Sequence, residues 1–147
     1  MPVRLIYRYD LGIKANFYMN SNDNKLKILL VDDDVDILLM MTILLKEAGY
    51  EVEGTLNGHE AVTRTMKFHP DLIIMDVFLS GTNGKDICKT LKNSEATKRL
   101  PVILISSEHQ PEAVVEYGAD EFIDKPFQIN LLLDTVRKFL PHSRNAA

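Results

Sequence analysis

A chain of 147 residues, 46% hydrophobic and 26% charged, carries enough apolar material for one compact domain with short trimmings, and leaves no room for a second. Its formal charge of −4 and the lack of a basic face with interleaved aromatics argue against direct nucleic-acid binding. The longest near-continuous apolar stretch, Ile37 to Leu45, falls far short of the roughly 20 residues that cross a bilayer, and no secretory signal is evident, so a cytoplasmic protein without membrane attachment is expected.

In chain order, residues 1–24 stand apart, because "MPVRLIYRYDLGIKANFYMNSNDN" has neither helical nor strand period and ends in a polar cluster. They read as an N-terminal extension with two alternatives open: an aromatic-containing arm packed on the domain or a partner, or a disordered or misassigned leader, with translation beginning at Met19. The domain proper runs over 25–141, and 142–147 form a tail. Short aliphatic runs predict strands at Lys27 to Val31, Glu51 to Thr55, Leu72 to Met75, Val102 to Ile105 and Glu121 to Asp124. Helices fill the gaps: about Val35 to Ala48, Gly58 to Phe68, Lys85 to Lys92, Pro111 to Tyr117 and Gln128 to Leu140. The alternation predicts an α/β fold, a (βα)5 doubly wound five-stranded parallel sheet. Cys88 falls in a helical pattern and reads as a buried small hydrophobe without chemistry.

Ligands of open parallel sheets bind beyond the carboxyl ends of the strands. Here those ends carry Asp32, Asp33 and Asp34, then Asp76, then Ser106 and Ser107, then Lys125. A flavodoxin-like strand order of 2-1-3-4-5 would bring all of them to one edge. Each residue has an ordinary structural explanation: Asp34 as an N-cap, Asp76 as a turn starter, Ser106 bonding local backbone, Lys125 as a solvated loop cation. Together those explanations weaken, since independent accidents would have to assemble complementary charges at adjacent strand ends. Clustered carboxylates repel unless a cation neutralises them, and Mg²⁺ takes a few oxygen ligands while keeping several waters. Mg²⁺ beside a lysine and a hydroxyl is equipment for handling phosphoryl oxygens, which makes Asp76 the candidate nucleophile.

The pieces "LLVDDD", "DLIIMDVFLSGTNG", "LPVILISSE" and "GADEFIDKPF", in order and spacing, resemble the receiver domain of bacterial two-component response regulators, from about Lys27 to Leu140. The resemblance implies that Asp76 accepts a phosphoryl group from a phosphohistidine of a sensor histidine kinase or histidine phosphotransfer protein. It further implies that Asp33 binds Mg²⁺ directly, Asp32 directly or through water, and Phe78 through its backbone carbonyl. Ser106 and Lys125 would bind the phosphoryl oxygens, and Phe122 matches the aromatic that rotates inward on activation. Family members usually carry Pro where this chain has Ser80 and often Asp where it has Asn83, while Gly84 is kept; a looser loop with intact chemistry is expected. The segment "SSEHQPEAVVEYG" is shorter than usual by roughly one helical turn, so the fourth helix should be short. Phe78, Ser107 and Glu108 flank the pocket and should influence how fast water hydrolyses the aspartyl phosphate.

On the first helix, an inward stripe of Ile37, Met40, Met41, Leu44, Leu45 and Ala48 would leave Leu38, Leu39 and Ile43 facing out as a surface for the donor's helical bundle. Coverage by the N-terminal arm, or a tilt burying more of the helix, is the alternative. The expected protein is a stand-alone receiver that switches contacts with an unidentified downstream protein, and not an enzyme beyond its own phosphotransfer and dephosphorylation. Two alternatives stand beside it. One is a haloacid-dehalogenase-like phosphatase using Asp32 and Asp34, disfavoured by Asp36 and by the lack of a late acidic pair. The other is a degenerate receiver serving as an unphosphorylated scaffold.

Overall fold

The computed structural model describes the backbone of residues 3–8, 14–19 and 25–141, and the side chains of 25–141. Within 25–141 the chain alternates β1 (Lys27–Val31), α1 (Val35–Glu47), β2 (Glu51–Thr55), α2 (Ala61–Phe68), β3 (Leu72–Asp76), α3 (Gly84–Lys92), β4 (Val102–Ser106), α4 (Ala113–Tyr117), β5 (Glu121–Asp124) and α5 (Ile129–Phe139). A short 3₁₀ turn, Gly58–Glu60, leads into α2. The five strands form one sheet in the order β2-β1-β3-β4-β5, with every neighbouring pair parallel, as expected of a flavodoxin-like fold.

The strands read as unbroken apolar runs because both faces of the sheet are covered. Leu29, Val31, Ile73, Met75, Val102 and Leu104 pack with Ala61, Phe68, Ile87 and Leu91 of α2 and α3. The alternate residues Ile28, Leu30, Leu72, Ile74, Ile103 and Ile105 pack with Met41 and Leu45 of α1 and Leu132 and Val136 of α5. Side chains that alternate across a strand thus build two cores, and each fully buried Leu or Ile stabilises the fold by about 1.5–3 kcal/mol. Cys88 is buried in the first of them, and its thiol donates to the Tyr117 carbonyl at 3.5 Å.

The register positions the polar residues. Val31 lies opposite Met75, so the next residues, Asp32 and Asp76, emerge side by side; Asp76 lies opposite Ile105, and Ser106 opposite Asp124. Helix α4 is five residues long, as its shortened segment predicts, and ends at Gly118 with φ 75°.

Three expectations need correction. Residues 3–8 and 14–19 pair as antiparallel strands from Val3↔Met19 to Arg8↔Lys14, where the sequence reading found no period; their content of aromatic and β-branched residues was the usable signal. The reading of residues 20–24 and of the tail 142–147 lies outside the described residues. The phase of α1 also differs. Leu38 is half-buried against the core, lying within 3.0–3.2 Å of the position that a Cβ on Gly54 would take, whereas Met40 and Ala48 are exposed. The outward apolar row is therefore Val35, Leu39 and Ile43. Finally, the loop after β3 is tied rather than loose: Phe78–Leu79 pairs antiparallel with Thr82–Asn83, and Gly81 at φ 76° closes the turn between them.

Candidate functional site

Asp32, at the end of β1, is fully buried, and its two carboxylate oxygens accept from different partners. Oδ1 takes the Asp34 N–H at 2.9 Å, and Oδ2 takes the Lys125 ammonium at 2.8 Å. Asp76, at the end of β3, is 7% exposed; its Oδ1 accepts from the Phe78 N–H at 3.1 Å and its Oδ2 from Lys125 Nζ at 2.7 Å. One ammonium therefore bridges two carboxylates that the register has forced together. Burial pushes the Asp32 carboxyl above the usual carboxylate range, against the lowering effect of Lys125 and the Asp34 N–H. Burial also works against the Lys125 charge, but hydrogen bonds and charges from Asp32 and Asp76 outweigh it and hold the ammonium above its ordinary pKa.

Asp33 is exposed, with Oδ2 accepting from both the N–H (2.9 Å) and the hydroxyl (2.7 Å) of Ser80. Asp34 is not part of the cluster: as its position suggests, it caps α1, accepting from the N–H groups of Asp36 and Ile37 at 2.9 and 3.2 Å. One carboxylate oxygen from each of Asp32, Asp33 and Asp76 can be chosen so that all lie within 4.8 Å of one another. A compact set of three oxygen donors suits a small hard cation such as Mg²⁺ and lacks the nitrogen or sulfur ligands that would select a softer metal.

Gly84 begins α3 directly beneath this site, donating its N–H to the Val77 carbonyl at 2.8 Å. A Cβ there would collide with the carbonyl oxygen of Asp76, so only glycine permits the approach. Phe78 is 44% exposed at the rim of the site, and Ser107 and Glu108 are exposed beyond β4.

Ser106 is fully buried, and its hydroxyl accepts from the Glu108 N–H at 3.0 Å; among the described residues no hydrogen bond joins that hydroxyl to the side chain of Asp76 or Lys125, although the Ser106 carbonyl accepts from the Lys125 N–H at 2.8 Å. Phe122 is half-buried on β5 and meets the His109 ring edge-on, with centroids 6.4 Å apart. His109 Nδ1 in turn lies 2.9 Å from both carboxylate oxygens of Asp124. Gln110 bridges the same segment to α3 by accepting from Lys85 Nζ at 2.9 Å. Sequence reasoning missed the His109–Asp124 pair and the Ser80–Asp33 contact, whose partners lie 15 and 47 residues apart and leave no local pattern. The Lys125–Pro126 peptide bond is cis. An open cavity of about 410 Å³ adjoins Lys125, lined by Ile37 and Met40 of α1 and by Ser107, Pro126 and Phe127.

Residues 28–137 match the model of the response regulator receiver domain, and the chain belongs to that family. It is a receiver of phosphorylation-based two-component signalling. The DNA-binding response regulator MtrA of Mycolicibacterium paratuberculosis is 35% identical over 114 residues, covering 76% of this chain and 49% of MtrA. The DNA-binding dual master transcriptional regulator RpaA of Synechocystis is 32% identical over 117 residues, covering 78% of this chain and 48% of RpaA. The chain thus spans about half the length of these curated relatives. Among solved structures, a response regulator of Chloroflexus aurantiacus superposes with a TM-score of 0.75 at 33% identity, covering 80% of this chain and 99% of that one. The chemotaxis response regulator CheY4 of Vibrio cholerae gives 0.73 at 32% identity, covering 78% and 98%. Among the described residues, no helix is long and apolar enough to cross a membrane.

Proposed function

We propose that Asp76 is the phosphoacceptor and that residues 25–141 act as a phosphorylation switch in the cytoplasm, taking a phosphoryl group from the phosphohistidine of a kinase or phosphotransfer protein. The observation that carries this reading is the single ammonium of Lys125, within 2.8 Å of Asp32 and 2.7 Å of Asp76 beside a third carboxylate. Asp32, Asp33, Asp76 and the Phe78 carbonyl would hold Mg²⁺, which supplies neutralisation of the phosphoryl oxygens.

In the transfer, a carboxylate oxygen of Asp76 forms a bond to phosphorus as the bond from phosphorus to the histidine nitrogen breaks, and the imidazole departs with the electron pair. Lys125 follows the negative charge from the Asp76 oxygen to the transferred group. The Ser106 hydroxyl, which now accepts from Glu108, has a proton free to donate to a phosphoryl oxygen. Its rotation would free volume next to Phe122, coupling a local charge to a packing change that a partner protein reads. Water then returns the site to its starting state by hydrolysing the acyl phosphate, with Phe78, Ser107 and Glu108 controlling access.

Val35, Leu39 and Ile43, 59%, 58% and 49% exposed along one side of α1, supply the apolar surface for the donor's helical bundle. Leu38 has its packing role instead.

The test is intact-mass spectrometry after incubation with Mg²⁺ and acetyl phosphate. One added phosphoryl group that disappears in Asp76→Asn is the expected result. Labelling at Asp32 with multiple turnovers would favour a phosphatase of the haloacid-dehalogenase type, and no labelling from small donors or kinases would favour a scaffold.

A further inference from the structure

We propose that Ser80 is a positioning residue for the metal-binding carboxylate Asp33, an inference that rests on the phosphoacceptor reading above. Asp33 is exposed, and a lone surface aspartate samples several rotamers. Here both donors of one residue, the N–H at 2.9 Å and the hydroxyl at 2.7 Å, converge on the same oxygen, Oδ2. Two charge-assisted hydrogen bonds to that oxygen fix the carboxylate plane and hold the group where one of its oxygens lies within 4.8 Å of oxygens of Asp32 and Asp76, ready for a shared cation. Hydrogen-bond partners of this kind orient the ligands of a metal and raise its affinity by limiting what must be ordered when the ion arrives.

The backbone that presents Ser80 is itself fixed. The paired segments Phe78–Leu79 and Thr82–Asn83 leave only Ser80 and Gly81 in the turn, with Gly81 at φ 76°. A turn with positive φ at its second central residue accepts proline at the first. Leu79, just before, is extended, the conformation that a following proline requires. A proline at position 80 therefore keeps the turn while deleting both donors. A serine there converts a purely structural corner into a two-donor clamp on a carboxylate 47 residues upstream.

The experiment is Mn²⁺ binding to the unphosphorylated full chain, read by electron paramagnetic resonance of the free ion, with Mg²⁺ competition and thermal melts in the absence of metal. Ser80→Pro should weaken Mn²⁺ binding on the order of tenfold, Ser80→Ala should weaken it less because its N–H remains, and Ser80→Thr should restore it. In an Asp33→Asn background the Ser80→Pro change should have no further effect, a non-additivity that a merely structural role would not produce. Wild-type affinity in Ser80→Pro, or equal losses from it with and without Asp33, overturns the role of Ser80 while leaving the metal site standing. Wild-type protein that binds no Mn²⁺, or binds it equally well as Asp33→Asn, overturns the metal site and the Ser80 inference together.

Discussion

The two halves of the site are built to different standards. On one side, Asp32, Asp76 and Lys125 sit at the ends of β1, β3 and β5, with Asp32 fully buried and Lys125 spanning both acids at 2.7–2.8 Å. On the other, the residues that follow Ser106 are exposed and lead into a five-residue helix, held by the His109–Asp124 pair whose side chains are 72% and 52% exposed. Strand ends in a fully covered sheet have almost no freedom, so chemistry that needs fixed geometry belongs there. A segment expected to change its contacts belongs on the side with little burial to lose. The same division separates the conformationally required Gly84, wedged under Asp76, from the loop that begins at Ser107.

The comparison is broken most severely by Gly84→Ala. A methyl group driven into the Asp76 carbonyl must displace β3 or α3, so a loss of about 3 kcal/mol or more is expected in urea unfolding, with acetyl phosphate labelling lost as well. Lys125→Ala should cost about 3 kcal/mol near neutral pH, because it strands two carboxylates that are 0% and 10% exposed. Asp32 already has a raised pKa, so its folded form binds a proton more readily than the unfolded form. The penalty should therefore shrink as pH falls from 7 toward about 4, and a constant penalty across that range would show that Asp32 does not carry it.

Leu38→Ala and Leu39→Ala test the corrected phase of α1. The first should cost about 1–2 kcal/mol through lost packing over Gly54. The second should change stability by less than about 0.5 kcal/mol yet slow transfer from a phosphohistidine donor while sparing acetyl phosphate labelling. Equal stability effects would reject the phase, and equal slowing with both donors would reject docking. The smallest effect is expected from His109→Ala, within about 0.5 kcal/mol in stability, because the pair it removes is solvent-exposed. A larger loss would move the segment after Ser106 into the rigid half.

The sheet and the acid cluster were legible because they depend on short-range pattern: strands buried on both faces are apolar throughout, and their carboxyl ends are where the acids stand out. The phase of α1 was not legible, since an apolar row runs along two of its sides and the deciding feature, the missing side chain of Gly54, lies on another element. Ser80 was noticed only as a departure from Pro. Its meaning came from Asp33, which no local periodicity connects to it. Gly84 was expected, but its reason, contact with the Asp76 backbone, belongs to the fold.

Two main-chain hydrogen bonds limit how the end of β4 can move. The Lys125 N–H donates to the Ser106 carbonyl at 2.8 Å, and the Val77 N–H donates to that of Ile105 at 2.9 Å, so the tip of β4 is riveted on both flanks. Ser106 can turn its side chain but cannot translate without dragging the lysine backbone along. The first residue past these bonds is Ser107, so any rearrangement of the following segment that leaves the sheet intact would have to begin there, with Asp76 held between β1 and β4.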